Sequence, residues 1–371
     1  MELDQKQRNA GLDVVRSIAI LAVVIFHIDS IMADNSNKFL KIFGYFGVEL
    51  FFVLSGFLIG QILIKKFIID KTGSDTFKLT EFYLKRWFRT LPLYYLIFLI
   101  NTFIFNPFQL VEKNQLWTYL FFLQTTLLEK VAFMQESWSL CVEEWFYLIF
   151  PLTILAAKSV SRTFSEKKFL ILLLTLLIGS IILRGIFLFV KPVSWIFIPA
   201  FLRFDAIGFG VLLAYLLIFK KDIYTKLTNK YSFLAGIILL ALIIACRWDY
   251  ELLGSWQTTY IITPIITSIS FIIMISFFES RKFAEIPFFT LTSKISYAMY
   301  LINIPFLALF PYKISNSLDN FYLLYILLFT ISLIFIYLTS FILYKFYEKP
   351  MMELREGFFT KKLLNRLSKL S

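Results

Sequence analysis

The sequence predicts an all-α polytopic membrane protein with about ten transmembrane helices and both termini cytoplasmic. Three observations carry that expectation. Of 371 residues, 59% are hydrophobic, 17% are charged and 45 are phenylalanine, where soluble domains lie nearer ~45–50% apolar and ~25% charged. The mean hydropathy is +0.75, and the apolar residues gather into runs of about 20, the length an α-helix needs to cross a bilayer. Lysine and arginine are abundant in alternate loops and sparse in the others, the bias that places basic loops on the cytoplasmic side.

Span one is read at 11–31 as a retained helix, because the polar start leads into it without a small-residue cleavage site. It holds the only histidine of the chain, His27, toward its far end and Arg16 near its start. Eleven residues return to within about 20° of the same helix face, so these two side chains share a face ~16 Å apart along the axis. Asp13, three residues before Arg16, is placed to pair with it. Imidazole is the side chain best suited to proton transfer near neutral pH, and an ionisable group inside a bilayer usually lines a path or a site. Arg16 alone would read as a snorkelling anchor; the shared face makes the pair more telling than either residue.

Span two, 44–64, opens G-Y-F-G-V-E-L-F-F and carries Glu49 on the same outer side as His27. Gly56 and Gly60 form a small-residue seam, whose first use is close helix packing. The following loop carries Lys65, Lys66, Lys71, Lys78 and Lys85, and Arg86 and Arg89 lie one turn apart at the mouth of span three, 87–107. Two guanidinium forks so spaced suit phosphate or pyrophosphate, and would equally anchor a lipid headgroup with Trp87 between them. The stretch 115–129, with Trp117, Phe121, Phe122, Thr125 and Glu129, is too short and polar to span. It is expected to lie flat at the interface or to re-enter.

Span four, 139–157, opens E-S-W-S-L-C-V-E-E-W-F-Y. Glu143 and Glu144 are adjacent, so they point about 100° apart and are not expected to face one partner. Either carboxylate could orient an imidazole, and both would also suit the positive end of the helix dipole. Span five, 169–190, follows the basic Lys158, Arg162, Lys167 and Lys168. Spans six, 202–219, and seven, 232–246, are short; span six opens R-F-D-A-I-G-F-G, where Arg203 and Asp205 are expected to compensate each other. Lys220, Lys221, Lys226 and Lys230 separate the two, and Arg281, Lys282 and Lys294 follow span eight, 258–278. Span nine, 290–311, contains S-Y-A-M-Y-L-I-N-I-P, and span ten, 322–346, closes at Y-E-K-P, read as aromatic anchors and a proline stop.

The opposite loops hold only Lys38 and Lys41, then Lys113 and Lys130, then Lys191, Arg247 and Lys313, while the tail adds Arg355, Lys361, Lys362, Arg366 and Lys369. An even span count puts both termini on the basic side, so topology and charge agree. The net charge of +12 thus reflects orientation, with attraction to anionic membrane lipid as a by-product, and does not point to nucleic acid. Cys141 and Cys246 cannot make a disulfide framework, and one histidine leaves no plausible zinc or iron cluster. Residues 1–371 read as a single transmembrane domain with no soluble domain appended.

Together these motifs resemble the acyltransferase-3 family of integral-membrane acyltransferases. The matching fragments are L-D-x-x-R-x10-H, G-x-x-G-V-E-L-F-F-V-L-S-G-F, R-x-x-R, W-S-L-x-V-E-E-x-F-Y-L-x-F-P, R-F-D-x-x-x-x-G, S-Y-x-x-Y-L and E-K-P, in the order of the family and over nearly the whole chain. The resemblance implies about ten spans in a bacterial inner membrane. It implies transfer of an acyl group, commonly acetyl from cytoplasmic acetyl-CoA, to a surface carbohydrate or similar acceptor, with no metal. By the same resemblance His27 is the essential histidine, Arg16 its basic companion, Arg86 and Arg89 the residues for the coenzyme A phosphates, and Glu143 the acid of the W-S-L motif. Glu49, Glu144, Arg203 and Asp205 are expected to support the site. Asn303 stands where many members have histidine, so that later histidine cannot be needed here, and Cys141 replaces a frequent serine. Without an SGNH-type hydrolase domain, an acyl relay would need a separate partner protein.

Two mechanisms fit. His27 acts as general base on the acceptor hydroxyl, with Glu143 or Glu49 stabilising the imidazolium, or it carries the acyl group itself. A rival class is a proton-coupled transporter or flippase using His27, Glu49 and Glu143 as a relay. Repeated halves with paired broken helices would favour the rival, and the sequence shows none.

Overall fold

The computed structural model describes residues 8–32, 37–104, 113–128, 131, 133–161, 163–190, 199–248, 255–307 and 321–356. All regular structure among them is helical. In hydrocarbon a backbone must satisfy its own hydrogen bonds, which is why apolar runs of this length fold as helices. In chain order these are α1 (Ala10–Met32), α2 (Lys38–Ile64), α3 (Asp75–Ile104), α4 (Leu116–Leu120), α5 (Gln124–Leu127), α6 (Trp138–Val160) and α7 (Glu166–Val190). They continue with α8 (Phe204–Phe219), α9 (Lys221–Leu227), α10 (Lys230–Trp248), α11 (Trp256–Glu279), α12 (Pro287–Leu307), α13 (Phe321–Leu343) and α14 (Lys349–Glu356).

Nine helices among the described residues are long and apolar enough to cross a membrane. The tenth expected span is α12, 21 residues long but not among those nine. Its polar residues explain this: Thr292, Ser293, Ser296 and Asn303 are all buried, inside the bundle, where protein partners rather than lipid receive them. Lys130, Arg162, Lys191, Lys313, Glu129 and the basic tail from Lys361 onward lie outside the described residues, as do the expected span ends beyond 104 and 307.

Two expectations change. The basic stretch before span three is not a loop, since α3 begins at Asp75 and carries Lys78, Lys85, Arg86 and Arg89 on one continuous helix. Glu81 supports this extension by pairing with Lys85 at i+4, 2.5 Å away, and with Lys66 from the end of α2. The proline of Y-E-K-P does not stop the chain either. A π-helical turn, Tyr344–Glu348, leads into α14. Pro350 lies in the first turn of that helix, where a missing N–H costs nothing. The stretch 115–129 does not span, as expected; α4 and α5 pack on α3 and α6 instead. Tyr94 donates to the carbonyl of Tyr119 at 2.8 Å, and the indole of Trp145 donates to the carbonyl of Phe122 at 2.9 Å.

At the centre, α2 runs along α8, with α1 and α12 packed beside it. The closest approach is glycine against backbone: a Cβ on Gly56 would lie 2.0 Å from the carbonyl oxygen of Ile207, and one on Gly210 would lie 2.0 Å from that of Val53. The seam at Gly56 and Gly60 is therefore a packing device, as its spacing suggested. Gly56→Ala is expected to cost about 1–3 kcal/mol by forcing these backbones apart. Thermal unfolding of the purified protein should show a lowered midpoint for that variant. Gly179→Ala, with nothing within 4 Å of the added carbon, should leave the midpoint unchanged.

Candidate functional site: two cavities meeting at Val48

Arg16, Arg86, Arg89, Ser55, Glu143 and Tyr297 line one cavity of about 180 Å³. The two arginines one turn apart on α3 thus share a chamber with the arginine of α1, as their positions suggested. Glu143 holds this group together. It accepts hydrogen bonds from Arg86 Nη2 at 3.1 Å, Tyr147 at 3.0 Å and Ser55 at 3.2 Å. The Arg86 guanidinium also lies over the Tyr147 ring, 4.0 Å from its centroid, a favourable cation–π contact. Glu144 approaches Arg86 Nε at 3.9 Å. The adjacent acids therefore do share one partner, because a guanidinium fork presents nitrogens in more than one direction. Asp13 does not pair with Arg16. It takes Arg8 and, at 2.7 Å, the hydroxyl of Ser293, while Arg16 donates to that same hydroxyl at 3.4 Å.

His27 lines a second cavity, about 560 Å³, together with Tyr45, Glu136, Trp138, Arg247 and Lys41. Its Nδ1 lies 2.6 Å from Asn303 Oδ1. Asn303 in turn donates both amide hydrogens within its own helix, to the carbonyls of Met299 at 3.0 Å and Tyr300 at 2.8 Å. That fixes the amide with its oxygen toward the imidazole. Nδ1–H is then the donor, and Nε2 keeps its lone pair. Val48 lines both cavities. Neither Glu49 nor Glu143 lines the chamber of His27, so the expected carboxylate–imidazole contact gives way to an amide–imidazole one. Asn303, read from sequence only as a missing histidine, is the residue that orients His27.

Glu49 is fully buried and paired with Arg203. Arg203 and Asp205 do not satisfy each other in direct contact; Asp205 accepts from Arg184 Nη1 at 2.7 Å, and both of those residues are 0% exposed. The reason is geometric. Arg203 ends a short 3-10 turn before α8 and reaches across to α2, while Asp205 faces α7. Arg184 also donates to the carbonyls of Leu202 and Ile261 at 3.2 and 3.3 Å. Sequence reasoning passed over Arg184. Its signal was available: an arginine in the middle of the apolar run of α7, far from any basic loop. These two ion pairs clamp α2, α7 and α8 behind the cavities rather than lining them. Among the described residues no group of His, Cys, Asp and Glu is arranged to hold a metal ion.

The family model described as an acyltransferase domain matches residues 9–345. A Staphylococcus aureus (strain COL) protein with the printed name "Putative O-acetyltransferase" is 26% identical over 368 residues, covering 92% of this chain and 56% of that protein. The O-acetyltransferase OatA of Staphylococcus aureus (strain NCTC 8325 / PS 47) is 25% identical over 375 residues, covering 94% of this chain and 57% of OatA. The chain thus spans little more than half the length of these curated relatives. No solved structure matches it.

Removing one member of a buried ion pair strands the other charge. Arg203→Met is expected to destabilise the fold by about 3–5 kcal/mol, and adding Glu49→Gln should restore much of the loss. A double-mutant cycle on thermal unfolding would show this coupling. Additive losses would mean that the pair is not a unit.

Proposed function

This chain belongs to the acyltransferase-3 family of integral-membrane acyltransferases, and we propose that it moves an acyl group, acetyl in the first instance, from acyl-CoA to a hydroxyl of a carbohydrate acceptor. The observation that carries the reading is the pair of cavities meeting at Val48, one with three arginines and one with an oriented imidazole. The arginine chamber suits the phosphates of coenzyme A, because forked guanidinium groups bind phosphate oxygens in pairs. By the positive-inside bias that chamber faces the cytoplasm. The thioester end then reaches toward His27, ~16 Å along α1 from Arg16, a span that suits the extended pantetheine arm. We place the protein in a bacterial inner membrane. Any onward transfer to a distant acceptor would use a separate relay protein.

In this reading His27 Nε2 takes the proton of the acceptor hydroxyl as its oxygen attacks the thioester carbonyl. The C–S bond breaks from the tetrahedral intermediate, and the imidazolium returns the proton to the departing thiolate. Asn303 Oδ1, 2.6 Å from Nδ1, holds the ring in the required tautomer and steadies the imidazolium. Glu143 acts on the donor side, keeping Arg86 in place through its hydrogen bond. General-base transfer is preferred to an acyl-histidine route because it requires one intermediate fewer. The proton-relay alternative loses its geometry, since Glu49 and Glu143 hold arginines and neither lines the chamber of His27.

The reading is tested by acetyl-CoA turnover, followed as thiol release with candidate glycans present. His27→Ala should lower turnover by about 10²- to 10⁴-fold while coenzyme A binding is retained. Turnover that survives this change would remove histidine from the chemistry. Arg89→Gln and Arg86→Lys should each weaken coenzyme A binding by about tenfold or more, the latter keeping a charge beside Glu143 but losing the fork. Equal coenzyme A affinity in both variants would move the donor site elsewhere. Asn303→Ala should lower kcat with the Michaelis constants little changed.

A further inference from the structure

Glu136 is the one member of the outer chamber whose chemistry is unspent. Its side chain lines the cavity of His27, the residue is 1% exposed, and neither carboxyl oxygen has a hydrogen-bond partner. A buried carboxyl group without partners is costly, and native proteins seldom retain one without a use.

The backbone around it is held with care. Met134 adopts a left-handed conformation, φ 46°, unfavourable for a residue with a side chain. That bend leads into the 3-10 turn Gln135–Ser137. Ser137 closes the turn by donating to the Met134 carbonyl at 2.6 Å, and Gln124 donates to the Ser137 hydroxyl at 2.9 Å. The Tyr300 hydroxyl donates to the Glu136 carbonyl at 2.6 Å. Tyr300 lies one helical turn from Asn303, which orients His27. One turn of α12 therefore fixes both the imidazole and the carboxyl group of the same chamber.

We propose that this chamber is the binding site for a neutral, polyhydroxylated acceptor ring, with Glu136 accepting hydrogen bonds from hydroxyl groups adjacent to the one that reacts. The inference rests on the acyl-transfer reading for its chemistry. The reacting hydroxyl gives its proton to His27, its oxygen bonds to the acyl carbon as the C–S bond breaks, and the proton ends on the thiolate. Glu136 makes and breaks no covalent bond; it holds the ring so that one hydroxyl faces Nε2. Hydroxyl donors fit the site better than an ammonium group does. Arg247 and Lys41 line the same cavity and would oppose a cation. Tyr45 and Trp138 add flat apolar walls suited to the C–H faces of a pyranose ring.

The experiment is saturation-transfer NMR on the full chain in lipid nanodiscs, which avoids sugar-based detergents. The probes are methyl glucoside, methyl galactoside and N-acetylglucosamine, with charged glucosamine for comparison, and coenzyme A affinity is measured on the same samples. At least one neutral probe should bind the wild-type chain and weaken by about tenfold or more in Glu136→Gln and Glu136→Leu, with coenzyme A affinity unchanged. Unchanged coenzyme A affinity also shows that the variants fold. No binding of any neutral probe to the wild type would overturn the site. So would binding indifferent to Glu136, or glucosamine binding more tightly than the neutral rings. Sugar binding through Glu136 in a chain that never turns over acetyl-CoA would leave this site standing and sink the acyl-transfer reading.

Discussion

The polar stripe of α12 is the interaction on which the rest of the arrangement depends. Ser293, Ser296, Tyr300 and Asn303 recur at three- and four-residue spacing, so they lie along one side of the helix. Ser293 meets Arg16 and Asp13 at one end of α1, and Asn303 meets His27 toward the other. Between them Tyr300 contacts Ser139 of α6 and the carbonyl of Glu136, while Tyr297 donates to the Thr90 carbonyl of α3 at 2.7 Å. One helix thus sets the relative positions of α1, α3 and α6, which carry the arginines, the acid and the histidine. In a membrane this is economical, because helices there gain little from apolar contact with one another, and hydrogen bonds and close packing decide how they associate.

Behind that stripe sits a second constraint. Two buried ion pairs, Glu49 with Arg203 and Asp205 with Arg184, fall where α2, α7 and α8 meet. Each charge is tolerated inside the bundle only because its opposite is within reach. The glycine seam between α2 and α8 brings those helices close enough for this to happen. Small residues and buried charges are therefore parts of one device: the first sets the distance and the second fixes the register.

Most of the fold was legible because apolar length is a local property. Spans such as 139–157 and 169–190 correspond closely to α6 and α7. The membership of the donor chamber was legible too, since Arg86 and Arg89 share a helix face by spacing and Arg16 joins them. Pairing was not. Arg203 stands 154 residues from its partner Glu49, and spacing along the chain says nothing about contacts at such range. Asp13 next to Arg16 suggested a pair that Ser293 and Arg8 claim instead. Glu136 looked like part of an outer loop, because burial of a short turn is decided by what packs on it. The membrane rank of α12 is the clearest lesson. The polar residues that keep it out of the nine apolar helices are the ones that assemble the site.

The wall at Val48 has a consequence for the cell as well as for the chemistry. A passage open from end to end through such a bundle would be an electrical short across the membrane, draining the gradients the membrane exists to hold. Two blind chambers back to back avoid this. The protein can hand over a small uncharged group at their common wall while water and ions on either side stay apart, so it works across an insulator without puncturing it.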